Sequence, residues 1–260
     1  MITSTANPRV KALAGLGRRS ERDRLHRFPA EGARIVERAL DAGWDIQEIV
    51  VAPTLATSDA MAVARSAAAH RLPVLEVGEA AFRKIAYRRH PDGVLAVVAT
   101  RDTTLDALDL PERPLVLVVE GIEKPGNLGA MLRTADGVGV EAVVVADPAT
   151  DVYNPNVVRA SQGAVFTVPL AVAEAGAAAA WLSAHHIRVV AAAPGADSPP
   201  WQVDLAGAVA VVVGSEHAGL SATWAGCDDV VGIPMRGTAD SLNAATAAAV
   251  LLYEALRQRS

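Results

Sequence analysis

One cysteine, Cys227, stands in a chain of 260 residues, which excludes an internal disulfide and any multi-cysteine metal site. A lone thiol of this kind reads as a buried small hydrophobe. Metal-ligand spacing is also missing from the histidines (His26, His70, His90, His185, His186 and His217), so no metal is expected. No apolar stretch approaches the ~20 residues of a membrane span, and the N-terminus is polar and basic with no apolar h-region. These absences lead to an expectation of a cytoplasmic protein with no membrane partner. Phosphate loops are lacking as well. The stretch Glu120 to Arg133 follows an apolar run and opens a helix, yet Gly126 and Gly129 do not supply G-x-G-x-x-G, and no G-x-x-x-x-G-K-[ST] occurs. A nicotinamide enzyme or a P-loop ATPase is thereby disfavoured. Aromatics are only 4% of residues, so the cores must be built from small aliphatic side chains packed closely.

Aliphatic side chains are what the chain has in abundance. Hydrophobic residues make up 51% and charged residues 20%, enough for sizeable cores in one large or two ordinary domains. Helical spacing predicts helices over 9–17, 31–42, 57–70 and 79–84, alternating with strands over 46–51, 74–77 and 94–99, a small α/β domain in itself. The polar, aperiodic segment Thr100 to Pro114 marks a boundary, giving domains 1–104 and 105–260. Beyond it, the runs 115–119, 142–145, 165–168, 189–192, 209–213 and 230–233 are apolar throughout, as strands of a parallel sheet covered on both faces must be. Helices are expected over 128–136, 155–161, 173–185 and 221–225. The closing helix, 243–258, is apolar around nearly its whole circumference, which calls for burial on two sides.

Charge is unevenly spread. The net charge is −5, yet Arg9, Lys11, Arg18, Arg19, Arg22, Arg24 and Arg27 face only Glu21 and Asp23 in the N-terminal arm. A second basic cluster joins Arg83, Lys84, Arg88, Arg89 and His90. Such patches on an otherwise acidic protein point to a polyanion; the alternative is a solvated basic end. Tyr87 could stack on a base or pack against its own domain.

Polar residues crowd behind three of the predicted strands, where ligands bind in open parallel sheets. These stretches are EGIEKPGNLGAMLR (120–133), GSEHAGLS (214–221) and IPMRGTADSLN (233–243). Together, KPGNLGAMLRTADGVG, VVVGSEHAGLS and IPMRGTADSLNAATAAAVLLYEA resemble the signature motifs of the SpoU/TrmH branch of the SPOUT RNA methyltransferases, in the family's order and spacing. NPRVKAL followed by FPAEGARIVERAL is similar to the L30e-like substrate-binding domain of many members. Lys124 before Pro125 departs from the pattern, where many relatives have Asn or Asp.

The resemblance implies a small L30e-like α/β domain followed by a SPOUT α/β domain with a parallel sheet and a C-terminal trefoil knot. The implied activity is methyl transfer from S-adenosylmethionine to a ribose 2′-hydroxyl of RNA, with 23S ribosomal RNA the leading target. A tRNA target and a non-catalytic RNA-binding protein of the same fold are the alternatives. Matching positions assign catalytic roles to Arg133, Asn127, Glu216, Ser241 and Asn243, and cofactor contacts to Gly214, Ile233, Met235 and Leu242. The RNA-contacting residues expected are Arg9, Lys11, Arg18, Arg19, Arg22, Arg24, Arg88 and Arg89. Family members are dimers through the last helix, so a homodimer is implied, with Leu252 and Tyr253 in its seam.

Overall fold

The computed structural model describes residues Met1–Ser260. The chain divides into two compact units, one of 1–101 with 151–167 and one of 102–150 with 168–260. No helix is long and apolar enough to cross a membrane.

The first unit runs α1 (Pro8–Gly15), α2 (Arg19–Leu25), β1 (Arg27–Glu31), α3 (Ala33–Asp41), β2 (Ile46–Val51), α4 (Ser58–Ala69), β3 (Val74–Glu76), α5 (Glu79–Ile85) and β4 (Val94–Ala99). Its sheet has the order β1-β4-β2-β3, antiparallel except for the β2–β3 pair. Val10, Leu13 and Leu16 of the α1 region and Phe82 and Ile85 of α5 cover Val50, Leu95 and Val97 on one face. α3 and α4 pack on each other and on the strands, burying Ile35, Val36, Ala39, Val63 and Ala67. Asn7 caps α1 through a side-chain bond to Arg9 N, and Thr57 caps α4 through one to Ala60 N.

Two elements here differ from the sequence expectation. The helix expected over 9–17 is α1, and a second helix that the sequence did not suggest, α2, follows it. Arg27–Glu31 is a strand, where 31–42 was expected to open directly as a helix. Pro29 and the lack of alternation hide β1, but it is an edge strand, where a missing N–H is tolerated. Gly32, at φ 114°, then turns the chain into α3.

The second unit continues with β5 (Leu115–Glu120), α6 (Pro125–Val138) and β6 (Ala142–Ala146). After α7 (Pro155–Ala160), which belongs to the first unit, come β7 (Leu170–Ala173), α8 (Ala175–Ala184), β8 (Arg188–Ala192), β9 (Val209–Val213), β10 (Asp229–Val231) and α9 (Ala244–Arg259). All six strands are parallel, in the order β10-β8-β9-β5-β6-β7. β5, β6 and β9 are buried throughout, which is why they read as unbroken Val/Ala runs. α9 packs against α6 with Ala244, Ala248, Leu251, Leu252 and Ala255 inward. Its last turn is held by Arg259, which donates to the Leu205 and Arg113 carbonyls at 3.0 Å.

The excursion 151–167 packs with the first unit, whereas the sequence placed it in the second domain. Its apolar run at 165–168 was expected to be a strand. Instead, Ala164–Phe166 forms a 3-10 turn, and the ladder begins only at Leu170. The reason is packing: Tyr153 and Phe166 join Phe28 and Trp44 in an aromatic cluster, with Phe28 and Tyr153 stacked at 4.5 Å. Four of the chain's ten aromatics thus meet at the joint between the unit's two chain segments. Gly163, at φ 93°, permits this turn, and a Cβ there would come within 2.6 Å of Arg38 Cδ. A buried ion pair fixes the same segment. Arg22 donates from Nε and Nη2 to Asp151 Oδ2 at 2.9 and 2.5 Å, and from Nη1 to the Leu16 and Gly17 carbonyls at 2.9 and 2.8 Å.

Candidate functional site

The polar loops of the second unit gather at the carboxyl ends of β8, β9 and β10, behind Ala192, Val213 and Val231. They enclose a cavity of about 320 Å³. Gly214, Ile233, Met235 and Leu242, the positions assigned to cofactor, all line it, and so do Glu216 and Ser241. Gly214 has a steric reason to be glycine, because a Cβ would overlap the Gly219 carbonyl where the Ser215–Gly219 bridge folds the loop back. The turn Ala193–Gly195 after β8 forms part of the lining as well, and no sequence motif had pointed to it.

Below the loop, Glu120 ends β5 as a carboxylate only 5% exposed. It accepts from Ser221 N at 2.8 Å and from Ser221 Oγ at 2.6 Å, pinning the far end of GSEHAGLS to the sheet. This anchor escaped the sequence reading, although a carboxylate closing an apolar strand is a signal that could have found it.

Beside the cavity, Glu216 receives side chains from each of the other two motifs. Asn127 Nδ2 donates to Glu216 Oε1 at 2.7 Å, Asn243 Nδ2 donates to the same oxygen at 2.5 Å, and Lys124 Nζ pairs with Oε2. Asn243 also reaches Asn127 Oδ1 at 3.3 Å and caps α9 through a bond from Ala245 N. The Lys124 ammonium, followed by the Asn127 amide, holds the Glu216 carboxyl below its ordinary range. Lys124, noted in the sequence only as a departure, is therefore part of the cluster.

Arg133 is brought to none of these groups. It lies exposed on α6, makes no hydrogen bond or ion pair within the chain, and does not line the cavity. Ser241 is exposed at the rim.

In the first unit, Lys11, Arg18, Arg19, Arg24 and Arg89 are exposed. Arg19 and Arg24 have local acidic neighbours in Asp23 and Glu21, and Arg9 is paired with Glu48 at 2.5 Å. Arg22 corrects the expectation of an RNA contact: at 2% exposure, with its guanidinium given to Asp151 and two carbonyls, it is a structural residue. Arg88 is half-buried and committed to the Glu31 carbonyl, while its backbone N–H donates to the Glu31 carboxylate. Burial drives the Glu31 carboxyl up, against the bonds from Tyr87 and Arg88. Tyr87 packs its hydroxyl over Gly17 and stays 40% exposed.

A parallel sheet with a glycine-built cavity and an Asn–Glu–Asn cluster at its carboxyl edge defines an α/β ligand-binding domain, in a chain that also holds a second α/β unit. Residues 114–253 match the SpoU rRNA methylase family and 7–96 match the MRM3-like substrate binding domain. The chain belongs to the SpoU rRNA methylase family. It is 33% identical to the 23S rRNA (uridine(2479)-2′-O)-methyltransferase of Streptomyces viridochromogenes, over 94% of this chain and 87% of that one. Identity is 30% to the 23S rRNA (guanosine(2553)-2′-O)-methyltransferase RlmP of Bacillus subtilis, over 97% of both. Among solved structures, the AdoMet-bound rRNA methyltransferase from Sinorhizobium meliloti superposes with TM-score 0.88 at 33% identity, covering 98% of this chain and 97% of that one.

Proposed function

We propose that the protein transfers a methyl group from S-adenosylmethionine to a ribose 2′-hydroxyl of 23S ribosomal RNA. The observation that carries this reading is the glycine-built cavity abutting the Glu216 cluster, in a chain whose relatives along nearly its whole length are named for that reaction. The cavity suits the cofactor. Val213, Ile233, Met235 and Leu242 offer apolar surface to an adenine ring, and the loops at 214–219 and 240–242 offer backbone donors and acceptors outside any strand. When bound, S-adenosylmethionine supplies an activated methyl group on a sulfonium sulfur. Gly214, Ile233, Met235 and Leu242 hold it.

The chain's own side chains handle the RNA. Arg133, with its guanidinium uncommitted, binds phosphate and stabilises the alkoxide as the 2′-hydroxyl loses its proton. It is no general base, because guanidinium does not deprotonate in proteins. Ser241, whose hydroxyl both donates and accepts, passes the proton on, to the RNA phosphate or solvent. Glu216 accepts from both Asn127 and Asn243, which ties the three motifs together. Lys11, Arg18, Arg19, Arg24 and Arg89 hold phosphates of the RNA.

Two copies pair through the outer face of α9. Val250 and Tyr253 are 39% and 54% exposed there, while Leu252 is fully buried within its own chain and so leaves the seam. Light scattering at micromolar concentration should return a dimer, and a persistent monomer would remove this part of the proposal. The activity is tested by incubating the protein with methyl-tritiated S-adenosylmethionine and either 23S rRNA or tRNA, then mapping the labelled nucleotide. Label on a ribose of 23S rRNA is expected. Label on a base, or only on tRNA, overturns the reading.

A further inference from the structure

The first unit contains a cleft of about 430 Å³ that methyl transfer leaves without a task. Its apolar walls are Leu13 of α1, Val97 of β4 and Pro73; its polar lining is Arg9, Arg27, Gln47 and Glu48. A β-bulge shapes it. Ile46 lies opposite Val98 and Glu48 opposite Val97, so Gln47 is the extra residue that turns this end of β2.

Two features ask for a ligand. Arg27 Nε is buried without any hydrogen-bond partner, and its Nη1 makes only a long 3.5 Å contact to Gln47 Oε1. A buried donor with no acceptor costs free energy that a bound acceptor would return. Close by, Glu48 Oε1 accepts from Arg9 Nη2 at 2.5 Å; Oε2 is left to accept and Oε1 keeps a second lone pair, so the carboxylate can take two adjacent donors. The carboxylate disfavours a bare phosphate. What fits is a flat, apolar body carrying acceptors for Arg27 next to donors for Glu48.

Among the RNA bases, guanine has that pattern, with O6 and N7 as acceptors adjoining the N1–H and 2-amino donors. Uracil has a single ring donor, and adenine and cytosine lack two adjacent ones. Unpaired RNA bases are recognised in this way, by edge hydrogen bonds with the ring lying on an apolar or planar surface. We propose that the cleft lined by Arg27, Gln47 and Glu48 binds an unpaired guanine of the RNA substrate, distant in sequence from the methyl-transfer motifs. This rests on the reading of the protein as an RNA methyltransferase.

The test is fluorescence anisotropy at fixed salt with a short labelled oligouridine, the same oligomer carrying one central guanosine, and one carrying inosine, which lacks the 2-amino group. Guanosine should tighten binding by about tenfold, and inosine by less. Glu48→Gln and Arg27→Met should each bring the guanosine-to-uridine ratio close to one, with thermal melts near wild type. A wild-type ratio of one, or a ratio that survives in both folded variants, overturns the assignment. Parallel methyl transfer to 23S rRNA by the wild type separates the two readings. Label without guanine preference sinks only the cleft, while guanine preference without label sinks the methyltransferase reading.

Discussion

In the first unit, the charges set apart from its exposed basic residues are turned inward: Arg22 and Glu31 are 2% and 7% exposed and bonded to groups of their own unit. In the second, apart from the Glu120 anchor, they are turned outward, with Lys124 68% exposed on its side chain and Arg133 free of any partner. The difference separates charges that organise the chain from charges left open to solvent. Sequence alone does not make that distinction, because an arginine at position 22 and one at position 133 look alike until burial is known. Variants in the two regions should therefore fail in different ways.

The largest effect on stability is expected from Asp151→Ala. It leaves the Arg22 guanidinium buried and without its carboxylate, at a cost of about 3–5 kcal/mol. Denaturant melts should show the loss. The pair Arg22→Met with Asp151→Leu should recover most of it, since an apolar replacement of a buried ion pair is often neutral or better. A single variant as stable as wild type would mean that the pair does not secure the 151–167 segment.

Arg133→Ala should do the reverse. Melting should be unchanged and cofactor affinity should stay within a few-fold, while the methyl-transfer rate falls by about 10²–10³ as a charge-stabilising donor is lost. Single-turnover transfer to rRNA measures it. A near wild-type rate would remove Arg133 from the mechanism.

Gly214→Ala probes the cavity wall between these extremes. The new Cβ would overlap the Gly219 carbonyl, so the 215–220 loop must move. Overpacking of this kind costs about 1–3 kcal/mol, or roughly five- to 150-fold in cofactor affinity. Calorimetry with S-adenosylmethionine would report it, and unchanged affinity would show that the loop has slack.

Much of this was legible beforehand, for identifiable reasons. β5, β6 and β9 were visible because strands buried on both faces must be apolar throughout, and β8 and β10 showed as shorter apolar runs although they are partly exposed. Gly214, Ile233, Met235 and Leu242, which line the cavity, were singled out only by the resemblance of their motifs to the family; by themselves Gly214 reads as a turn glycine and the other three as core residues. What stayed hidden depends on contacts far apart in the chain. Asp151 meets Arg22 across 129 positions and Glu120 meets Ser221 across 101. β1 was masked by Pro29, and Phe166 was drawn from an expected strand into an aromatic cluster. The inward side of Leu252 followed only from where α9 lands on α6.

The smallest effect belongs to Lys124, the outward-facing member of the Glu216 cluster. Its ammonium is the first cause of the depressed Glu216 pKa, with Asn127 second. A carboxyl whose folded pKa lies below its ordinary value contributes its interaction above the ordinary carboxylate range and loses it as pH falls through the lowered value. Glu216 thus keeps accepting from Asn127 and Asn243 well into acid. With Lys124→Met the depression shrinks, so protonation breaks the cluster at a higher pH. The acid limb of the methyl-transfer profile should move upward, while the neutral plateau stays near wild type, because an ion pair open to solvent adds little at a pH where Glu216 remains ionised. Lys124→Arg should restore the wild-type limb. Superimposable profiles for Lys124→Met and wild type would show that the cluster is held by its two asparagines alone and that the lysine is a bystander.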